Sequence, residues 1–170
     1  MAKNIVLIGF MGSGKSTVGR RLARRIGYGY VDTDQMIEAK VGKKVAEIFD
    51  GEGEAVFRAL ERQAVEKASS GKVRVIACGG GAVLDPENVK MLKQNGVLIY
   101  LKASQKSLME RLERGLARRP LLRAENAEER VKELLEERVK TYESVADDII
   151  DTDGLSPARV VDEIVARKIG

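Results

Sequence analysis

Short, nearly unbroken apolar runs alternate along this chain with longer stretches whose apolar residues recur every three or four positions. The short runs at 4–8, 29–33, 73–78, 97–102 and 147–152 predict strands. The longer stretches at 15–26, 34–41, 54–70, 87–95, 104–114, 126–145 and 157–168 predict amphipathic helices. Val73–Cys78 and Val97–Leu101 carry almost no polar alternation, as expected of strands whose two faces are both covered by helices. Regular alternation of strand and helix over 170 residues predicts a three-layer α/β fold with a parallel sheet. No repeat, low-complexity tract or linker divides the chain, so residues 1–170 read as a single domain.

One segment breaks the alternation. Between 111 and 125, Pro120 bars a helix interior and Gly115 weakens the helix before it. Arg111, Arg114, Arg118, Arg119 and Arg123 crowd the same span. It reads either as a solvated basic loop or as an arginine-bearing lid over an anionic ligand.

The strongest chemical signal lies at the first strand-to-helix junction. Gly9-Phe10-Met11-Gly12-Ser13-Gly14-Lys15-Ser16-Thr17 follows Ile5-Val6-Leu7-Ile8 and opens a helix, the context in which G-x-x-x-x-G-K-[ST] binds phosphate. Backbone N–H groups of Gly12, Ser13, Gly14, Lys15, Ser16 and Thr17 can converge on an anion, favoured by the helix dipole. Lys15 can reach the terminal phosphates of ATP and the Ser16 hydroxyl can hold Mg²⁺.

Composition narrows the remaining chemistry. The chain has one cysteine, Cys78, and no histidine, which excludes an internal disulfide, Cys/His zinc sites and histidine-based triads. A general base must then be a carboxylate, a lysine or a water. Net charge is +4 and aromatics are 4% with no tryptophan, so a small phosphorylated ligand is a simpler partner than nucleic acid. No signal peptide precedes the first strand and no apolar run approaches the roughly 20 residues of a membrane span. A cytoplasmic monomer without membrane or nucleic-acid partners is expected.

Asp32-Thr33-Asp34 closes the second predicted strand, where two carboxylates projecting together would meet the ligand crevice of a parallel sheet. One could serve Mg²⁺ and the other take a proton from a hydroxyl, or Asp34 could simply cap the next helix. Gly79-Gly80-Gly81 occupies the strand end at which many phosphate-loop ATPases carry an acid. It permits close backbone approach to a ligand, and it also fits a plain turn. Arg58, flanked by Glu54 and Glu61 at helical spacing, is either an exposed ion pair or a guanidinium fork for a ligand carboxylate. Arg138 raises the same choice.

Taken in order, the phosphate loop, Asp32-Thr33-Asp34, Gly53-Glu54 with Phe57-Arg58, the glycine triplet, Arg119-Pro120-Leu121-Leu122, Glu137-Arg138 with Tyr142, and Asp151-Thr152 resemble the shikimate kinases from Asn4 to about Ile164. The resemblance implies a fold like the nucleoside monophosphate kinases, with a five-stranded parallel sheet in order 2-3-1-4-5. It also implies a substrate-binding helical region at about 34–61 and a lid at about 112–124. The implied reaction is transfer of the ATP γ-phosphate to the 3-hydroxyl of shikimate, within aromatic amino-acid biosynthesis. By position, Asp34 is the implied base and hydroxyl ligand, Arg58 and Arg138 hold the carboxylate, and Gly80 and Gly81 bound the ring. Arg119 would reach the phosphates and Asp32 would support Mg²⁺ directly or through water. The adenine-stacking arginine falls on Arg114 or Arg118, with Arg114 favoured. Leu155 stands where some members carry a polar or basic side chain, so base contact there falls to backbone groups. The rival readings are a kinase of another small acceptor, such as gluconate or a nucleoside monophosphate, and a regulatory or nucleic-acid-handling ATPase.

Overall fold

The computed structural model describes residues 3–114 and 126–167. Five parallel strands form one sheet in the order β2-β3-β1-β4-β5, with β1 at Asn4–Ile8, β2 at Gly29–Asp32, β3 at Arg74–Ala77, β4 at Gly96–Lys102 and β5 at Asp148–Asp151. The order is the one the resemblance implies. The described helices are α1 (Lys15–Ile26), α2 (Thr33–Val41), α3 (Val45–Glu52), α4 (Glu54–Ser69), α5 (Pro86–Gln94), α6 (Gln105–Glu113), α7 (Ala127–Val145) and α8 (Pro157–Ala166), with a 3-10 turn at Ala82–Leu84. Every predicted strand and helix is present, and α3 is an addition. The expected lid lies mostly outside the described residues.

Because every residue of β1 is buried, its alternating side chains build two cores. Ile5 and Leu7 pack with Leu22 of α1 and Val161 and Ile164 of α8 on one face. Val6 and Ile8 pack with Val65, Leu92, Leu108 and Tyr142 on the other. The parallel register sets Val6 opposite Ile76 of β3 on one side and Leu98 of β4 on the other. A third cluster of Ile37, Ile48 and Phe57 ties α2, α3 and α4 into one wall. No described helix is long and apolar enough to cross a membrane.

The strand order reverses at β1, whose neighbours lead away in opposite directions. Such a switch point opens a crevice beyond the carboxyl ends of the strands, and here the phosphate loop leaves β1 there. Leu7 is fully buried beneath that loop. Leu7→Ala is expected to destabilise the protein by about 3 kcal/mol, lowering Tm by roughly 6–12 °C. Thermal unfolding of the purified variant checks this.

Candidate active site

A cleft of about 2020 Å³ runs along the carboxyl ends of the strands from the phosphate loop to the α2–α4 wall. At its phosphate end, α1 begins without a side-chain cap: Gly14 is the N-cap in the left-handed region at φ +96°, and the first turn holds no acid. By contrast α2, α5, α6 and α8 each close their first turn with an Asp or Ser side chain. An unfilled helix N-terminus leaves N–H donors and the positive dipole end facing the cleft. Lys15 Nζ donates to the carbonyls of Gly9 at 2.7 Å and Phe10 at 2.9 Å, holding the ammonium against the loop. The Ser13 hydroxyl oxygen is buried with no hydrogen-bond partner among the described residues.

Asp32 joins this loop to the opposite wall. Its Oδ2 accepts from Ser16 Oγ at 2.7 Å and Tyr30 OH at 3.2 Å. Its Oδ1 accepts from the N–H groups of Asp34 at 3.1 Å and Gln35 at 3.2 Å. The helix cap is therefore Asp32 and not Asp34: β2 ends one residue earlier than predicted, and Thr33 already opens α2. Asp34 sits in the first helical turn and still faces the cleft beside Asp32, brought there by the turn of the helix rather than by strand alternation.

One oxygen of Asp34 is buried without a partner among the described residues. Burial, and then the neighbouring Asp32 charge, raise its carboxyl to about 6. A carboxylate with that affinity for protons is suited to receive one from an alcohol. The glycine triplet follows β3 directly beneath it. A Cβ on Gly79 would lie 2.5 Å from Asp34 Oδ1 and 3.2 Å from Glu61 Oε2. One on Gly81 would lie 2.5 Å from Arg58 Nη1. A side chain at Gly79 or Gly81 would crowd these charged groups, whereas at Gly80 the nearest atom is 3.6 Å away.

Arg58 is not an exposed ion pair. Its Nη1 donates to Glu61 Oε1 at 2.8 Å, and Glu61 is 1% exposed. Nε and Nη2 share Glu54 Oε1 at 3.2 and 3.1 Å. The guanidinium also lies 5.5 Å from the centre of the Phe57 ring. Arg138, half-buried on α7, places its guanidinium 5.8 Å from the centre of the Phe10 ring, and its Nη1 lies 3.7 Å from where a Gly80 Cβ would be. The two arginines thus flank the triplet from α4 and α7.

At the far end, Arg114 lines the cleft at the C-cap of α6. Arg118 and Arg119 lie outside the described residues. Sequence reasoning read Arg111 only as one of the arginines of the loop or lid and missed its bond to Thr152, where it donates to Oγ1 at 3.1 Å and to the carbonyl at 2.9 Å, bolting α6 to the loop after β5. It also passed over Thr33, whose Oγ1 accepts from the Gly79 N–H at 2.9 Å, and gave Gly79 no role of its own. Cys78 is buried at the end of β3, where burial pushes its thiol up and keeps it protonated.

The family model for shikimate kinase matches residues 11–168. A shikimate kinase of Thermodesulfovibrio yellowstonii is 48% identical over 163 residues, spanning 96% of this chain and 93% of that protein. The chain belongs to the shikimate kinase family. As a member it is an ATP-dependent kinase, a phosphotransferase with a hydroxyl acceptor. A solved shikimate kinase from Acinetobacter baumannii, in complex with shikimate, superposes with a TM-score of 0.92 at 37% identity, covering 99% of this chain and 93% of that one. A gluconokinase from Sinorhizobium meliloti aligns at 19% identity and a TM-score of 0.57, covering 96% and 90% of the two chains, which is a likeness of fold alone. Shikimate kinase is therefore the reading favoured over the gluconate and regulatory alternatives.

The raised carboxyl of Asp34 carries a signed expectation. A folded-state value above the unfolded one means the native state holds more protons between pH about 4 and 6, so this group's contribution to stability falls as pH rises through that window. Asp34→Asn is expected to remove turnover while raising stability at pH 7.5 by on the order of 1–2 kcal/mol, the carboxyl still meeting water in the cleft. Steady-state kinetics and thermal melts on the same preparation check both halves. In the parent protein, kcat/KM is expected to fall below pH about 6.

Proposed function

We propose that this chain transfers the γ-phosphate of ATP to the 3-hydroxyl of shikimate, with its binding and proton-transfer groups divided along the cleft. The observation that carries this reading is the pairing of an uncapped α1 terminus at one end with Arg58 and Arg138 at the other, Asp34 lying between them. The backbone of residues 12–17 and Lys15 hold the triphosphate. Arg58 and Arg138 bind the carboxylate of the acceptor, and Gly80 and Gly81 let its ring approach the backbone. Asp34 accepts the hydroxyl proton as the oxygen attacks phosphorus. Arg119 and Arg114, carried over by resemblance, complete the phosphate and adenine contacts.

Ser16 and Asp32 fit Mg²⁺. They offer one hydroxyl and one carboxylate 2.7 Å apart beside the phosphate loop, and this ion takes one or two carboxylates together with phosphate oxygens and water. When bound, Mg²⁺ supplies charge neutralisation on the phosphates. Beside that charge and the proton taken by Asp34, alignment of the bound pair supplies much of a phosphoryl-transfer rate. A monomer acting in the cytoplasm completes the proposal.

Arg58→Ala tests the acceptor end. Loss of a charge-assisted pair is expected to cost about 1.5–3 kcal/mol, which raises KM for shikimate by roughly 10–100-fold with KM for ATP little changed. A coupled assay varying each substrate measures it. A defect confined to ATP would place Arg58 wrongly.

A further inference from the structure

Tyr30 and Asp32 stand two residues apart on β2, so their side chains leave the strand on the same face. Tyr30 is half-buried there, packed against the core that holds Leu7 and Leu22. Helix α1 makes room for its ring. A Cβ on Gly19 would lie 2.7 Å from Tyr30 Cε2, and glycine inside a helix is unfavourable on its own account. Arg20, the next residue of α1, sets its guanidinium 5.5 Å from the centre of the same ring.

The hydroxyl that this packing delivers meets the oxygen that also holds the phosphate loop. Tyr30 OH donates to Asp32 Oδ2 at 3.2 Å, and Ser16 Oγ donates to the same atom at 2.7 Å. The phenol and the Ser16 hydroxyl are themselves in hydrogen-bond contact, so the three side chains close into one cluster. Asp32 Oδ1 is taken by the N–H groups of Asp34 and Gln35. A carboxylate offers about four acceptor positions, and these donors fill them. A serine hydroxyl has a single proton, and to ligate a cation through its oxygen it must place that proton on an acceptor. Asp32 Oδ2 is that acceptor. Packing alone does not call for the phenol oxygen, because a phenylalanine ring would occupy the recess at Gly19 equally well.

We propose that Tyr30 is a positioning residue for the metal end of the site: its hydroxyl holds Asp32 Oδ2 against Ser16, which keeps the Ser16 proton on Asp32 and leaves the Ser16 oxygen to ligate Mg²⁺. The inference rests on the placement of Mg²⁺ at Ser16 and Asp32. Through Gly19 and Tyr30, the helix that presents the phosphate loop also sets the carboxylate that the loop's serine uses.

Tyr30→Phe keeps the ring and removes the oxygen. In the full chain, calorimetry measures the dissociation constant of a non-hydrolysable ATP analogue, once with MgCl₂ and once with the metal chelated by EDTA. Without metal, parent and variant should agree within about twofold, the ring packing being unchanged. With Mg²⁺ the variant should bind about 3- to 10-fold more weakly, the effect of one lost hydrogen bond. Circular dichroism should show it folded, and KM for shikimate should be little changed. Ser16→Ala is measured alongside as the reference for the metal site. If Ser16→Ala loses the metal-dependent tightening while Tyr30→Phe keeps it in full, or is weakened by the same factor in EDTA, the positioning role is overturned and the metal placement stands. If both variants keep the full tightening, the placement of Mg²⁺ falls with it.

Discussion

The carboxylate of Asp32 is the contact on which the site depends. It caps α2 with one oxygen and holds Ser16 with the other, so a single buried side chain fixes the distance between the phosphate loop and the wall that presents Asp34. Capping side chains contribute about 1 kcal/mol to a helix, a modest sum. Its larger consequence is geometric, because transfer between two bound molecules is sensitive to displacements on the order of 1 Å. Tyr30, bonded to the same oxygen as Ser16, restricts the carboxylate further.

From that joint the rest of the site follows as a set of groups left incomplete by the fold. Among the described residues the α1 terminus has no side-chain cap, Ser13 Oγ has no partner, and Asp34 and Glu61 each keep one buried oxygen unpaired. Buried polar atoms without partners cost about 1–3 kcal/mol each, and these three residues line one cleft, while Asn88, whose Oδ1 is also unpartnered among the described residues, lies outside it. The neighbouring structure compensates with the two cores that grip β1 on both faces. Strain concentrated at a site and stability placed beneath it are what an enzyme of this kind requires.

The features legible in the sequence were those whose chemistry is contiguous. The phosphate loop stands in one run of residues after an apolar strand, and the strands themselves declared their burial by lacking alternation. Helix α3 escaped notice because it has eight residues and contains Gly51 and Asp50, both poor helix formers. It is held by Ile48 packing against Ile37 and Phe57 rather than by its own propensity. The Asp32–Asp34 pair was located correctly, while its roles shifted by one boundary residue: a strand ending at 32 instead of 33 turns the first aspartate into the cap. The contacts of Arg111 and Tyr142 could not be read, since their partners, Thr152 and Gly80, lie far away in sequence. Arg58 was ambiguous until the burial of Glu61 separated a held fork from a surface pair.

In the proposed arrangement one cleft grips a triphosphate at the α1 terminus and a hydroxy acid between Arg58 and Arg138. It is tested most directly by a crystal structure of the chain with shikimate and a non-hydrolysable ATP analogue bound together. The expected structure has the carboxylate between those two guanidinium groups, a ring hydroxyl within about 3 Å of Asp34, and the terminal phosphate at Lys15. An acid bound elsewhere in the cleft, with Asp34 out of reach of any hydroxyl, would contradict it.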